Sequence, residues 1–138
     1  MGMVYADIEL ANDWDVEMVR KGLMDKDEVR RIPINVLVDT GSFSLAINQT
    51  IQEVLQLTVI DQKELTLANG ETILYDIVSN VEVRFKNRTC SCRAAVLPGN
   101  SEPLLGAIPL EEMDLIVHPA KQELMTNPAH GENGLWRL

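Results

Sequence analysis

One carboxylate in this sequence stands at the end of an apolar run, where burial would make its charge costly. Residues 34–38 are mostly apolar and lead directly into Asp39-Thr40-Gly41-Ser42, after which a second apolar run begins. An isolated ionised Asp inside a protein is strongly disfavoured unless it has partners. Gly41 allows a sharp turn, and the hydroxyls of Thr40 and Ser42 can satisfy buried groups around it. This composition predicts an active-site loop around Asp39.

Few other side chains in the sequence could form a reactive group. The only cysteines, Cys90 and Cys92, would point the same way on a strand, where geometry disfavours a disulfide between them. We interpret them as small apolar residues on one strand face; an intermolecular disulfide is the alternative. A metal site needs about four suitably spaced ligands, and His118 and His130 form no motif with the cysteines. We therefore expect no metal ion and no other cofactor.

The length and composition of the chain restrict the class of protein. A chain of 138 residues, 46% of them hydrophobic, is long enough for one domain with its own core. No apolar run approaches the ~18 residues of a membrane span, and the first residues do not resemble a signal peptide. We therefore expect a cytoplasmic protein that does not bind a membrane. The net charge of −9 and the scattered basic residues argue against a nucleic acid as partner.

The first part of the chain predicts two strands separated by an insertion. Alternating apolar residues from Val4 to Leu10 predict a half-buried strand. Asp15 is expected to cap a short helix, although an irregular excursion is the alternative for this segment. The apolar residues of that helix would be Val16, Val19 and Leu23. We interpret the charged residues 25–31 as a solvated connection or the start of the next strand.

Two later segments carry signals for short helices. Thr50-Ile51-Gln52-Glu53 has the form of a capping box and is followed by apolar residues. Pro109 is expected at the first position of another helix, with Glu111 and Glu112 in its first turn, where the helix dipole favours negative charge.

Hairpin signals dominate the remainder of the sequence. Asn69-Gly70, between alternating apolar runs, is the strongest of them, and its arms are long enough to project from the body. Residues 86–88 make a second tight connection, and residues 115–117 and 123–125 predict a closing hairpin. The pattern of many short strands with one or two short helices is typical of an all-β barrel or sandwich.

In this order, the motifs resemble those of the retropepsin-like aspartic proteases, the single-lobe relatives of pepsin, and more narrowly the small bacterial aspartyl proteases. The segments that carry the resemblance are the turn at residues 36–42, the strand Leu104-Leu105-Gly106, the helix after it, the hairpin at residues 67–70 and the ending at residues 127–130. The resemblance implies a closed barrel of about seven or eight strands. It would form one domain over residues 1–126, followed by a C-terminal tail over residues 127–138.

The resemblance also implies a chemistry and a partner. Peptide hydrolysis by this route needs two carboxylates that share one proton, one activating water and the other polarising the scissile carbonyl. Because the chain has a single Asp-Thr-Gly, the resemblance implies a homodimer that pairs Asp39 with its symmetry mate. Thr40 would then make hydrogen bonds across the dimer. Gly41 would donate its N–H to the carboxylate, and Ser42 would donate its hydroxyl to Asp39.

By the same resemblance, other residues would support the site or hold the substrate. Leu104, Leu105 and Gly106 would brace the catalytic turn. The hairpin tip, Ala68, Asn69 and Gly70, would act as a lid that clamps an extended peptide substrate. The tip is polar and acidic, whereas retroviral members have a more Gly-rich, apolar tip.

Alternatives remain at each of these points. Asp39 could be an ordinary turn residue bonded to its own backbone, and Asn69-Gly70 a plain hairpin turn. The protein could be a catalytically weak or inactive dimerisation or peptide-binding module with the same fold. The tail carries the apolar residues Leu135, Trp136 and Leu138. It is expected to pack against the partner subunit or occupy the cleft, with disorder as the alternative.

Overall fold

The structure is a computed structural model that describes residues 3–137. Within these residues the chain forms nine β-strands and three short α-helices, so the predicted mostly-β class is confirmed. The strands are β1 (Val4–Asn12), β2 (Arg31–Val38), β3 (Leu45–Asn48), β4 (Val59–Thr66), β5 (Thr72–Phe85), β6 (Arg88–Leu97), β7 (Leu104–Leu105), β8 (Leu115–His118) and β9 (Glu123–Thr126). The helices are α1 (Asp13–Arg20), α2 (Gln49–Leu55) and α3 (Ala107–Glu112), and a single 3-10 turn covers Lys26–Glu28.

Seven of the described strands form one sheet in the order β1-β2-β7-β3-β6-β5-β4. An additional antiparallel pairing joins Glu9–Asn12 of β1 to β5, so six strands make a continuous ring of pairings. Strand β4 lies outside this ring and pairs with β5 alone. The predicted closing hairpin is present as the separate pair β8–β9.

The core lies inside the ring and follows the two-residue alternation of the strands. On β6 the inward residues are Cys90, Cys92, Ala94 and Val96, all buried. Both cysteines are free, as predicted for small apolar residues on one strand face. The hydrogen bond with Cys92 and burial raise the pKa of the Cys90 thiol far above its usual range, so it stays protonated and unreactive.

Helix α1 is present, but its cap and its buried residue differ from the prediction. The Asn12 side chain accepts hydrogen bonds from the N–H groups of Trp14 and Asp15 and is therefore the N-cap. Asp15 is instead fully buried and paired with Arg30, whose side chain is 34% exposed. Residues 25–28 are exposed, as expected for a solvated connection. The predicted apolar residue Leu23 lies beyond the helix and is 68% exposed.

The starts of α2 and α3 also differ from the prediction. Asn48 rather than Thr50 caps α2, since its side chain accepts the N–H of Ile51 at 2.9 Å. Helix α3 begins two residues before Pro109, which places Glu111 and Glu112 at its end and not in its first turn. The physical reason for the early start of α3 is a tertiary contact, described below, that satisfies its first N–H groups.

Residues 127–137 contain no helix or strand and fold back against their own chain. His130 Nδ1 lies 2.6 Å from Asp114 Oδ2, and the Leu135 N–H donates to the same oxygen at 3.0 Å. The Trp136 Nε1–H donates to the Glu112 carbonyl at 2.8 Å. The expectation that the tail occupies the cleft is wrong for these residues, while its packing against a partner stays a prediction. Leu138 lies outside the described residues.

No helix within residues 3–137 combines the length and the apolar character that crossing a bilayer requires.

Candidate active site

Asp39 follows the last residue of β2, whose end is held by β7. The two strands run parallel, with Leu37 opposite Leu104 and Val38 opposite Leu105. The Asp39 N–H donates to the Leu105 carbonyl at 3.0 Å. Val38 and Leu105 are buried and Asp39 is half-buried, so the carboxylate stands where the core meets the surface.

The turn that follows is closed by hydrogen bonds to Asp39 itself. The Ser42 N–H donates to the Asp39 carbonyl at 3.0 Å, and the Gly41 N–H donates to Asp39 Oδ1 at 3.0 Å. A side chain that accepts from the backbone two residues ahead is common for Asp in turns. The hydroxyl bond expected from Ser42 to Asp39 is not among those that residues 3–137 form. The described chain therefore leaves one carboxylate oxygen without a donor.

Gly106 is the point at which the supporting strand touches this loop most closely. A Cβ at Gly106 would lie 2.6 Å from the Ser42 carbonyl oxygen and closer still to that of Ser44. Real Cβ atoms do not approach backbone oxygens so closely, so only glycine fits at this position. The glycine is thus required by close packing of two backbones, since its own φ is ordinary for any residue.

Helix α3 also donates hydrogen bonds to this loop. The N–H groups of Ala107 and Ile108 donate to the carbonyls of Ser42 and Phe43 at 2.8 and 3.0 Å. These are first-turn N–H groups that have no partner inside the helix. They fix the loop backbone after Asp39, which limits how far the carboxylate can move.

The hairpin of β4 and β5 projects beside this loop, as its Asn-Gly signal predicts. Its tip is a turn in which the Gly70 N–H donates to the Leu67 carbonyl at 2.9 Å. Gly70 has φ +87°, a conformation that glycine adopts without strain. Ala68, Asn69 and Gly70 are exposed, and the outer strand β4 is exposed over most of its length.

A cavity of about 490 Å3, here called the cleft, lies between the loop and the hairpin. Residues 41–46 form one wall, both hairpin arms form another, and β6 with Leu104 forms the floor. Of the predicted site residues, Gly41, Ser42 and Leu104 line the cleft. Asp39 and the tip residues 68–70 are not among the residues that line it.

Thr40 faces a different space from the rest of the turn. It is exposed and lines a groove of about 330 Å3, mostly apolar, between the loop and the β8–β9 hairpin. Ile116 and Val117 of β8 line the same groove. Thr40 and β8 therefore share a face of the molecule that adjoins Asp39.

Two residues that line the cleft, Lys63 on β4 and Arg93 on β6, are not among the site residues predicted from the sequence. One signal for Arg93 was available, because Cys92 and Ala94 on either side of it alternate inward. Within the described residues, no group of three or more His, Cys, Asp and Glu side chains is arranged to hold a metal ion.

The sequence profile of a family described as aspartyl protease matches residues 27–107, which is more than half of the chain. The chain belongs to this family. The predicted membership of the retropepsin-like aspartic proteases is thereby confirmed, and the narrower placement among bacterial members stays a prediction. The match covers the Asp-Thr-Gly turn, the hairpin and the Leu-Leu-Gly strand in one continuous segment.

Among solved structures, this aspartyl protease family chain is similar to the EIAV protease complexed with the inhibitor HBY-793. The two are 21% identical, with 57% of this chain and 75% of that chain covered and a TM-score of 0.45. A search of curated protein sequences returned no match.

Proposed function

We propose that this protein is a homodimeric aspartic endopeptidase that hydrolyses extended polypeptides through Asp39 and the partner's Asp39. The observation that carries the proposal is the support of Asp39, which has a fixed backbone and one carboxylate oxygen without a donor. Because the chain has one Asp-Thr-Gly, a second carboxylate at the site is expected from a second copy.

In the proposed reaction the two carboxyl groups share one proton, since two like charges at close range cannot both ionise easily. The ionised carboxylate takes a proton from water as the water oxygen attacks the scissile carbonyl carbon. The protonated carboxyl donates a hydrogen bond to the carbonyl oxygen, where negative charge develops. The C–N bond then breaks as the leaving nitrogen takes a proton from the pair.

The cleft supports an extended peptide as substrate. It lies beneath a hairpin whose outer strand β4 has a free edge, and its lining is mainly apolar. A peptide strand lying there would present alternate side chains to the pockets, and the tip residues 68–70 would close over it.

The groove beside Asp39 supports the proposed dimer. Thr40 and the apolar residues Ile116 and Val117 stand on the face that adjoins the carboxylate. A second copy seated there would bury this groove and bring the two Asp39 side chains together. In this arrangement residues 1–126 form the catalytic domain and residues 127–138 its tail.

A cytoplasmic location is part of the proposal. Both cysteines are free and buried, which is typical of proteins in a reducing compartment.

The test is cleavage of a peptide library by wild-type protein and by Asp39→Asn. We expect the variant to lose at least about a hundredfold in rate, the usual scale for removing a general base. Asp27→Asn, in the exposed 3-10 turn, is the matched control and should cleave like wild type. Circular dichroism and sedimentation should show the same fold and the same dimer mass for all three proteins.

A folded, dimeric Asp39→Asn protein that cleaves at the wild-type rate would refute the proposal. The second candidate is the peptide-binding module without turnover. The acidic balance favours it, because a pI of about 4.6 lowers solubility at the mildly acidic pH where such carboxyl pairs work readily. Binding of library peptides without cleavage at every pH tested would support that candidate.

A further inference from the structure

Tyr75 is a buried aromatic side chain in the wall of the cleft. It stands on β5 of the hairpin, lines the cleft and is only 9% exposed. Alternate residues of a strand face the same side, so Ile77 shares the face of Tyr75, and it lines the cleft as well. Ile77 pairs with Ala95 of β6, another lining residue. The phenol ring is therefore packed into the cleft wall and is held in place by burial.

The hydroxyl of Tyr75 has no hydrogen-bond partner among residues 3–137. The hydroxyl of Tyr5, the other tyrosine of the chain, has one in the Met3 sulfur at 3.5 Å. Within the described residues, Arg88 Nε is the one fully enclosed side-chain nitrogen or oxygen without a partner, so the Tyr75 oxygen is not sealed inside the protein. Because buried tyrosines usually satisfy their hydroxyl, an unpaired one in a cleft wall indicates a group that a ligand can satisfy.

The charged residues beside Tyr75 do not engage its hydroxyl. Lys63 lies opposite Tyr75 on β4, but its ion pair is with Asp61 at 3.7 Å. Asp76, the next residue of β5, faces the other side of the strand and accepts a hydrogen bond from Gln62 at 2.9 Å. No acidic residue of the described chain lines the cleft. A positively charged ligand group would therefore find no counter-charge among the lining residues.

The lining around Tyr75 is mainly apolar, and this decides which ligand group suits the hydroxyl. Leu65, Ile77 and Leu97 are among the lining residues, and the two basic ones, Lys63 and Arg93, are exposed. Burying a charge among apolar side chains costs far more than one hydrogen bond to a neutral hydroxyl returns. A hydroxyl or an amide, by contrast, can both donate to a tyrosine hydroxyl and accept from it. The site therefore suits an uncharged polar group on an apolar stem.

We propose that Tyr75 is a specificity-determining residue whose hydroxyl binds the hydroxyl or amide end of one substrate side chain in the cleft. Tyr and Gln are the favoured side chains, because each carries such an end on a large apolar stem. The inference rests on the proposed peptidase function, to which it adds the residue that recognises one position of the substrate. A site that binds a polar end rejects an analogue without it, because the polar group of the site is then left unpaired.

The experiment digests a proteome-derived peptide library to find the position at which Tyr and Gln are enriched, and then measures kcat/KM for matched peptides that differ only there. The pairs are Tyr against Phe and Gln against Met, which are similar in size and differ in the polar end. For wild type we expect kcat/KM to be about tenfold higher for the polar member, which corresponds to ~1.4 kcal/mol. In Tyr75→Phe, which removes the hydroxyl and keeps the ring, the two members should have equal kcat/KM.

The matched control is Tyr5→Phe, which removes the same group from an exposed tyrosine outside the cleft and should keep the tenfold preference. The urea midpoint of Tyr75→Phe should not fall below that of wild type, since the hydroxyl has no partner in the fold to lose. Three results would each overturn the role of Tyr75 and leave the protease proposal intact. They are a wild-type pattern without enrichment of Tyr or Gln, a preference that Tyr75→Phe retains, and a lower urea midpoint in Tyr75→Phe.

A second arm separates the role of Tyr75 from the protease proposal. A displayed peptide library is selected on immobilised Asp39→Asn protein, with and without the added Tyr75→Phe substitution. If wild type cleaves nothing but peptides with Tyr or Gln at one position are selected only when Tyr75 is present, the protease proposal fails and the binding role of Tyr75 stands. If neither cleavage nor such a selection is found, both fail.

Discussion

Asp15 and Asp39 differ in how far their carboxylates are buried and hydrogen-bonded. Asp15 on α1 is fully buried and accepts three hydrogen bonds from Arg30, from its backbone N–H at 3.0 Å and from its guanidinium at 2.7 and 2.6 Å. Asp39 is half-buried and accepts one, from the Gly41 N–H. Both carboxylates sit on rigid backbone, but only one has its charge matched within the chain.

The difference separates a structural carboxylate from a reactive one. The hydrogen bonds from Arg30 hold the pKa of Asp15 below its usual range, so it stays ionised and cannot exchange a proton near neutral pH. A general base must be able to take up and release a proton, which requires an incompletely satisfied carboxylate. The support around Asp39 comes from backbone contacts that fix its position without satisfying both of its oxygens.

Arg30→Met should have the largest effect on stability of the changes considered, because it leaves Asp15 buried without its partner. Removing one member of a buried pair typically costs about 3–5 kcal/mol of stability. The free energy of unfolding from urea denaturation should fall by roughly this amount. Arg31→Met is the matched control, since Arg31 pairs with Glu9 at the surface and should cost less than about 1 kcal/mol.

An equal, small effect of Arg30→Met and Arg31→Met would contradict the structural role of the Asp15 pair. Cleavage by Arg30→Met should persist wherever the protein remains folded, since Arg30 lines no part of the cleft.

Gly106→Ala tests the other side of the comparison, the backbone support of Asp39. The added Cβ would force the Ser42 and Ser44 backbones away, and overpacking of this kind costs about 1–3 kcal/mol. A displaced loop should lower kcat by more than it changes KM, because small misplacements of a catalytic group are costly. Equilibrium denaturation in urea measures the loss of stability, and steady-state kinetics measure kcat and KM.

Gly131→Ala is the matched control for that substitution. A Cβ at Gly131 meets nothing within 4 Å, and stability and kinetics should match wild type. Wild-type kcat in Gly106→Ala would show that the position of the loop does not depend on this close packing.

The sequence predicted the region around Asp39 better than the region around Asp15, for a physical reason. The apolar strand, the turn, the Asn-Gly hairpin and the Leu-Leu-Gly strand are each local patterns whose geometry follows from a few neighbouring residues. Asp15 and Arg30 are separated by a helix, a loop and a 3-10 turn. Each looks like an ordinary surface residue until the chain brings them together.

The same limit explains the other differences. Helix α3 starts early because Ser42 and Phe43, far away in sequence, accept its first N–H groups. Lys63 and Arg93 line the same cleft because β4 and β6 both pair with β5. Strand alternation gives the side of the sheet on which a residue lies, but not which residue of another strand stands opposite.

The smallest expected effect is the change with pH in the stability that the Asp15–Arg30 pair contributes. A carboxylate whose pKa is depressed in the folded protein stabilises it above the unfolded pKa, and this contribution is lost as the pH falls through the folded value. The pKa of Asp15 in the unfolded chain is near 3.8, the ordinary value for an Asp carboxyl, so wild type loses this contribution below about pH 4. In Arg30→Met, burial without the arginine raises the pKa of Asp15, so the stability difference from wild type should narrow progressively as the pH falls from 7 and be smallest below about pH 4.

Urea denaturation at each pH, at low protein concentration because of the acidic pI, measures this difference. The corresponding difference for Arg31→Met should be small throughout, since that pair is exposed. If the Arg30→Met difference stays constant down to pH 3, Arg30 stabilises the fold through packing and not through the charge of Asp15. Narrowing in Arg30→Met alone would show that the buried carboxylate is held ionised by its partner, a cation of the kind that Asp39 lacks among residues 3–137.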